Sequence, residues 1–390
     1  MRTLVGRRFV TLAAVFGAAV SVVAAVATAA PRRLPNWAGP QIASVVSHGL
    51  MAQSVKTFRP NDSLTRQALS SLDYGLVLVL TPPPTTTDPS GTDTTSTDPG
   101  VTVPTTDATT TATTPTSPPP PVSNPNGAVT MAQLDKSLVN MLGLSHAAAE
   151  FAAGARAAGI PVPGRFGTEV VARLLGLRLN HPASEDYLEL RPQDPATRAE
   201  AAYSAAQILS FGPFGSGWQT AWVQSLADTF ALPQLTPWQK SILTVAFSKI
   251  GMPYVWGGTS DGEEAPFGVP SRGGYDCSGF VWRVYKLQSY PNEGDLASVI
   301  RGRTTMTMSV EVPRSERISF AKLEPADVLF FGAKGPHSTG PQVDHTAIYV
   351  GNGWFIQSSD EGVALAQLSG WYRQQFAWGR RPLREAGLEQ

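Results

Sequence analysis

Residues 81–127, TPPPTTTDPSGTDTTSTDPGVTVPTTDATTTATTPTSPPPPVSNPNG, contain no aromatic residue and no Lys or Arg. Such a stretch buries almost nothing and cannot offset its ordering entropy, so it is expected to be disordered and extended. Any folded core must be assembled from the segments on either side. Thr and Pro at this density suit a glycosylated stalk and, equally, a plain spacer.

The flanking segments contain a repeat. FRPNDSLTRQA (58–68) returns as LRPQDPATRAEA (190–201), each an R-P-x-D turn followed by T-R and an apolar helical pattern. Thr65 and Thr197 stand where a helix N-cap stands. A weaker copy, VTMAQLDKSLVNMLGL (129–144), keeps Thr130 but has Met131 in place of the Arg. Repeats of this kind stack small helical units that cannot bury their apolar faces alone. The pattern resembles the S-layer homology module over 36–80 and again over 128–212. The resemblance implies a small all-α domain that holds a secondary cell-wall polymer. The other reading is that the T-R turn only caps helices.

At the N terminus, Arg2, Arg7 and Arg8 precede an uncharged run over 9–30 that ends near Ala27, Thr28 and Ala29. This order is expected of a signal peptide over 1–29, with retention as a membrane anchor as the alternative. After cleavage no transmembrane segment is expected, and the protein is expected to be secreted. The formal net charge is zero and charged residues make up 15%. Nothing in this balance marks a polyanion as partner, so nucleic acid is not expected.

The region 233–387 mixes helix and strand signals. LTPWQKSILTVAFSKIG reads as a helix capped by Thr236, opened by Pro237 and stopped at Gly251. GYDCSGFVWRVYKLQ reads as a second helix with Phe280, Val281, Val284 and Tyr285 on its inner face. PADVLFFG, VDHTAIYVG, WFIQSS and FAWGRRPL read as strands. The expected fold class is α+β, a helical layer against an antiparallel sheet, preceded by the all-α repeats and the disordered linker.

Cys277 is the only cysteine. Free Cys often packs as a small hydrophobe, but this one falls where the loop 257–276 becomes a helix. In a first turn, unpaired amides and the positive end of the dipole lower a thiol's pKa and can receive an oxyanion. A thiol nucleophile needs a base. Of the five histidines, His48, His146 and His181 lie in the repeat region, His337 in a Gly/Pro loop, and His345 on the strand HTAIYV. A strand aims a base better than a loop does. If 351–353 form a three-residue hairpin loop, Val350 faces Trp354, and Gln357 shares a face with His345 as the orienting residue. A two-residue Asn-Gly loop turns Gln357 away.

GMPYVWGG (251–258), YDCSGFV (275–281) and DHTAIYVGNG (344–353) resemble the ordered motifs of the NlpC-type cell-wall endopeptidases, papain-like cysteine peptidases of bacterial peptidoglycan. The resemblance implies Cys277 as nucleophile, His345 as base and Gln357 as the third polar residue, a place often held by His. It implies that Tyr254, Asp276 and Ser278 line a substrate groove, with Tyr254 near the oxyanion. No metal or cofactor is expected. The loop 259–274 is longer than usual, and Glu263, Glu264 or Arg272 could reach substrate from it. Arg301, Arg303, Arg314 and Arg317 are candidates for touching acidic stem peptides, or form a solvated face. The implied activity is hydrolysis of peptidoglycan stem peptides, at the bond between D-γ-glutamate and the diamino acid, by a wall-associated enzyme. The alternatives are a cysteine amidase or acyltransferase on the same scaffold and a non-catalytic wall-binding protein.

Overall fold

Three threonines organise the helical half. The computed structural model describes residues 37–81 and 122–389. The expected signal peptide and nearly all of the Thr/Pro-rich linker lie outside the described residues. Thr65 caps α2 (Arg66–Leu80), Thr130 caps α3 (Met131–Met141), and Thr197 caps α6 (Arg198–Asp228), each side chain accepting from the amide three residues on. Before them come α1 (Gly39–Ser47), and between them α4 (Ser145–Ala157) and α5 (Phe166–Leu174).

The residues just before the three caps close a ring. Leu64 N donates to Ala196 O at 2.8 Å, Ala196 N to Val129 O at 2.9 Å, and Val129 N to Leu64 O at 3.0 Å. The first two amides of each helix, orphan donors in an isolated helix, bond to the turn of another copy. Arg66 and Gln67 donate to Gly127 and Pro125, Met131 and Ala132 to Asp194 and Pro192, and Arg198 and Ala199 to Asp62 and Pro60. The copies are thus equivalent under an approximate threefold rotation. The middle copy begins at Pro125, earlier than its sequence suggests. Gly127 occupies the place of Asp62 and Asp194, and its turn merges with the end of the Thr/Pro-rich stretch.

The second half opens with α7 (Pro237–Ser248), closed at its N terminus by a Thr236–Gln239 capping box. A short ribbon pairs β1 (Thr259–Ser260) with β2 (Gly274–Tyr275). It leads into α8 (Cys277–Trp282), which continues as a single π-helical turn, Arg283–Leu287, instead of the uninterrupted helix expected. Phe280, Val281, Val284 and Tyr285 are fully buried, as the apolar spacing requires. Two short helices follow, α9 (Leu296–Val299) and α10 (Thr305–Val310).

The five-stranded antiparallel sheet comprises β3 (Val328–Gly332), β4 (Val343–Gly351), β5 (Trp354–Ser359), β6 (Gly362–Gln367) and β7 (Phe376–Arg380), in the order β6-β5-β4-β3-β7. Strand β6 and helix α11 (Gly370–Gln375) escaped the sequence reading; α12 (Pro382–Glu385) ends the described fold. One sheet face joins a hydrophobic cluster that runs from Ala38 to Leu383 through both halves. Trp354 of β5 packs against Phe151 and Phe230 of the helical half, with ring centroids 5.8 and 5.3 Å apart. The other face carries a smaller cluster that includes Leu329, Phe331, Phe355 and Phe376.

Candidate active site

The β4–β5 hairpin decides where Gln357 points. Gly351 pairs with Trp354 across the two-residue turn Asn352-Gly353, but the register shifts between Tyr349 and Gly351. That bulge leaves Val350 unpaired and sets Ile348 opposite Ile356. A two-residue turn alone would have sent Gln357 to the far face; the extra residue restores the face-sharing register. The expected facing of Val350 and Trp354 is therefore replaced by Gly351 and Trp354. Asn352 adopts φ 49° and Gly353 φ 79°, the left-handed values that an Asn-Gly turn supplies.

His345 Nε2 lies 2.7 Å from Gln357 Oε1. Gln357 Nε2 in turn donates to Tyr372 Oη at 2.7 Å. The amide thus bridges His345 and Tyr372. With the amide oxygen turned to the ring, this bond calls for the imidazole proton on Nε2 and leaves Nδ1 as the basic nitrogen. Phe331, opposite His345 on β3, packs 5.6 Å from the imidazole. Asp344 is exposed.

Cys277 is the first residue of α8, and Asp276 is its N-cap. The sulfur lies 3.4 Å from Thr305 Oγ1 and meets the backbone amide of Thr346, the residue after His345. The lowered thiol pKa expected of a helix N terminus is not found. Burial, then the Asp276 carboxylate, pushes the thiol up to about 11, against the pull of the Thr305 hydroxyl and of the Thr346 and Ser278 amides. Burial is the larger cause, and the cap adds to it: Asp276 takes the Gly279 amide for itself and sets negative charge beside the sulfur. Burial pushes the His345 imidazole below its ordinary value, and the Gln357 bond offsets this only in part. Both shifts favour a resting pair of thiol and neutral imidazole.

Asp276 and Ser278 are buried, and their oxygens are engaged within the protein. Asp276 Oδ2 accepts from Gly257 N at 3.0 Å, and Oδ1 accepts from Ser278 Oγ at 2.9 Å. Arg303 donates to Ser278 Oγ at 2.8 Å and to Gly257 O at 2.8 Å, and pairs with Asp276 at 3.3 Å. Arg303 is thus a strut beneath the Cys277 loop, and Arg317 stacks on Trp378 with its guanidinium 3.5 Å from the ring. Glu264 folds back on the Thr259 and Ser260 amides and clasps its own loop. Tyr254 is held with its phenol pKa well above the usual value, by burial first and then by negative charge at Cys277, Asp276, Asp360 and Asp186, so its hydroxyl keeps its proton.

The helical half holds the segment that carries Tyr254. Arg165 donates to Ile250 O at 3.2 Å and Ser248 O at 2.9 Å, and Arg173 donates to Gly251 O at 2.7 Å. Asp186 Oδ2 accepts from Trp256 N at 3.0 Å. Gly251 has φ +87°, and a Cβ there would collide with Glu169. Among the described residues no group of three or more His, Cys, Asp or Glu side chains is arranged to hold a metal ion.

Residues 251–381 match the model of the NlpC/P60 family. The chain carries an NlpC/P60 domain. Murein DD-endopeptidase MepH of Escherichia coli (strain K12) is 33% identical over 144 residues, 36% of this chain and 45% of the relative. Gamma-D-glutamyl-L-lysine dipeptidyl-peptidase of Bacillus cereus (strain ATCC 10987 / NRS 248) is 25% identical over 209 residues, 50% of this chain and 55% of the relative. This chain therefore spans about half the length of these relatives. A crystal structure of an NlpC/P60 family protein from Bacillus cereus ATCC 10987 is 26% identical, covers 39% of this chain and 42% of its own, and gives a TM-score of 0.29.

Within the NlpC/P60 domain, sequence reasoning missed Tyr372 and Thr305. Neither lies in one of the quoted motifs, and no spacing rule links them to Cys277 or His345; only the fold brings them there.

Proposed function

We propose that the protein is a secreted, wall-associated cysteine peptidase that hydrolyses peptide bonds in peptidoglycan stem peptides, at the bond following D-γ-glutamate. The observation that carries this reading is the Tyr372–Gln357–His345 relay beside a helix N terminus that begins with Cys277, within the segment matched to NlpC/P60. His345 Nδ1 takes the thiol proton as sulfur attacks the carbonyl, because the resting pair is neutral. The Cys277 amide and the Tyr254 hydroxyl donate to the oxyanion. The imidazolium then gives its proton to the leaving amine, and water, deprotonated by His345, releases the acyl group from sulfur.

The repeats are proposed to hold a secondary cell-wall polymer. In support, a groove of about 710 Å³ between α2 and α3 combines polar side chains, Arg66, Asp73, Gln133 and Asn140 among them, with an apolar floor that includes Leu69 and Met141. Arg198, the equivalent of Arg66, is instead spent on Phe58 O and Met51 O.

Mass analysis of fragments from digested peptidoglycan tests the peptidase reading. Fragments ending in D-γ-glutamate are expected from the parent and none from Cys277→Ser, whose hydroxyl is far less acidic. Cleavage at the D,D cross-link would move the bond. Cleavage retained in Cys277→Ser would remove this mechanism. Full-length Cys277→Ser should pellet with cell walls, and less so after Arg66→Ala. Equal pelleting with walls stripped of secondary polymer would overturn the anchoring reading.

A further inference from the structure

Helix α6 is broken at Gly212, whose φ 66° and ψ 174° fall in a region open essentially to glycine alone. The break re-aims the second half of the helix. There Val223, Leu226 and Ala227 are buried, while Trp218 and Trp222, one turn apart, are 81% and 40% exposed. Single exposed apolar residues are ordinary, but two adjacent tryptophans beside a groove mark a contact surface.

The groove they line, about 480 Å³, also holds Gln207, Gln219 and Glu361. It shares Gly176, Gln207 and Glu361 with a second groove of about 450 Å³ that extends to Asn180 and Asp360. Asp360 and Glu361 adjoin Tyr254 in turn, and Tyr254 lies within the electrostatic reach of Cys277. Along this path Asn180 Oδ1 and His181 Nε2 are buried without a hydrogen-bond partner, and His181 is only 3% exposed. The surface thus pairs flat aromatic faces with amide and carboxylate side chains, and it is continuous with the candidate cleft.

We infer that the Trp218–Trp222 face and the groove leading from it to Asp360 bind a carbohydrate chain, namely the glycan strand that bears the stem peptide. This rests on the proposed peptidase function. The C–H faces of a pyranose pack on indole rings, while its hydroxyl and acetamido groups suit Gln207, Gln219, Asn180 and Glu361. Asp360 and Glu361 repel an anionic lipid surface. The cations along this path are both paired within the protein, Arg173 with Glu169 at 2.7 Å and Arg178 with Asp135.

The test separates strand from peptide. Full-length Cys277→Ser is titrated with peptide-free glycan strands, with and without Trp218→Ala and Trp222→Ala together. Affinity is expected to fall at least tenfold in the double variant and to return in large part with Trp218→Tyr and Trp222→Tyr. In the otherwise unaltered enzyme, the double alanine variant should digest intact sacculi about tenfold more slowly and cleave a sugar-free stem peptide at the parent rate. Unchanged strand binding overturns the inference. So does a dimer that becomes monomeric in the variant, which assigns the face to a second copy, or loss of binding to phosphatidylglycerol vesicles, which assigns it to lipid. If the parent cleaves neither substrate, the peptidase reading fails, and strand binding still reports on this surface.

Discussion

Replacing Tyr372 by Phe removes one oxygen and keeps the ring, which packs edge-on against Phe355 at 4.9 Å and Phe331 at 5.8 Å. The lost oxygen is the acceptor for Gln357 Nε2. Gln357 is 2% exposed, so water does not readily replace it, and the amide becomes free to turn its NH₂ toward His345. A neutral hydrogen bond is worth about 1 kcal/mol, or about fivefold in the ratio of correctly placed to displaced amides. Turnover of a stem-peptide substrate should therefore fall in Tyr372→Phe, by at most about fivefold, with little change in KM. Gln357→Ala removes the orienting group altogether and should cost about 10- to 100-fold, less than the ~10⁴-fold attached to a triad carboxylate, because an amide adds no charge to stabilise imidazolium. Gln357→His, the more usual residue at this place, should retain most activity. The decisive assay is the double-mutant cycle. If Tyr372 acts only through Gln357, its loss has no further effect in the Gln357→Ala background. Additive losses would refute the relay.

A thiol held at about 11 should be alkylated slowly at pH 7, with a rate that climbs through pH 8–10; a plateau below pH 7 would show a resting thiolate instead. Glu200 is buried and raised from 4.5 to about 7, by desolvation first. Its contribution to stability is complete below about pH 4.5 and is lost as pH rises through 7. Glu200→Gln should thus flatten the fall in stability between pH 5 and 8 by about 2–3 kcal/mol, read from denaturant midpoints, and an unchanged pH profile would contradict the assignment. Phe230→Ala should destabilise by about 3–5 kcal/mol in a single transition, because Phe230 joins Phe151 and Trp354 across the two halves; two separate transitions, with that of the sheet unmoved, would show independent halves.

Local signals were legible where chemistry repeats at short range. The three Thr caps, the Thr236 cap and the buried face of α8 follow from spacing alone, and so does the strand that carries His345. What the sequence hid is non-local or is cancelled by a neighbour. The ring joining Leu64, Val129 and Ala196 spans over 130 residues, and Gly127 masks the middle turn by standing where the other copies have Asp. The hairpin was readable as two alternatives, each right in part: the loop has two residues, and the bulge at Val350 undoes its effect on the register. The Cys277 thiol was misread because the helix-terminus argument counts amides and dipole but not burial or the capping carboxylate, and in this structure the latter two outweigh the former.

The raised thiol changes how the roles of the site divide. With a thiolate at rest, the base would serve mainly to protonate the leaving group, and its orientation would matter most late in the reaction. In the mechanism proposed above, the neutral pair has His345 receive the proton as sulfur attacks, so the tautomer must be correct before substrate arrives. That requirement falls on an uncharged amide, which cannot draw the proton electrostatically and must work by orientation alone. Tyr372 satisfies the other end of that amide, and Phe331 and Phe355 immobilise Tyr372 in turn. The small cluster on the sheet face that carries His345 and Gln357 therefore has a chemical consequence beyond stability. Its packing holds the tyrosine that bonds the amide beside His345, and substitutions there should be felt in turnover before they are felt in substrate affinity.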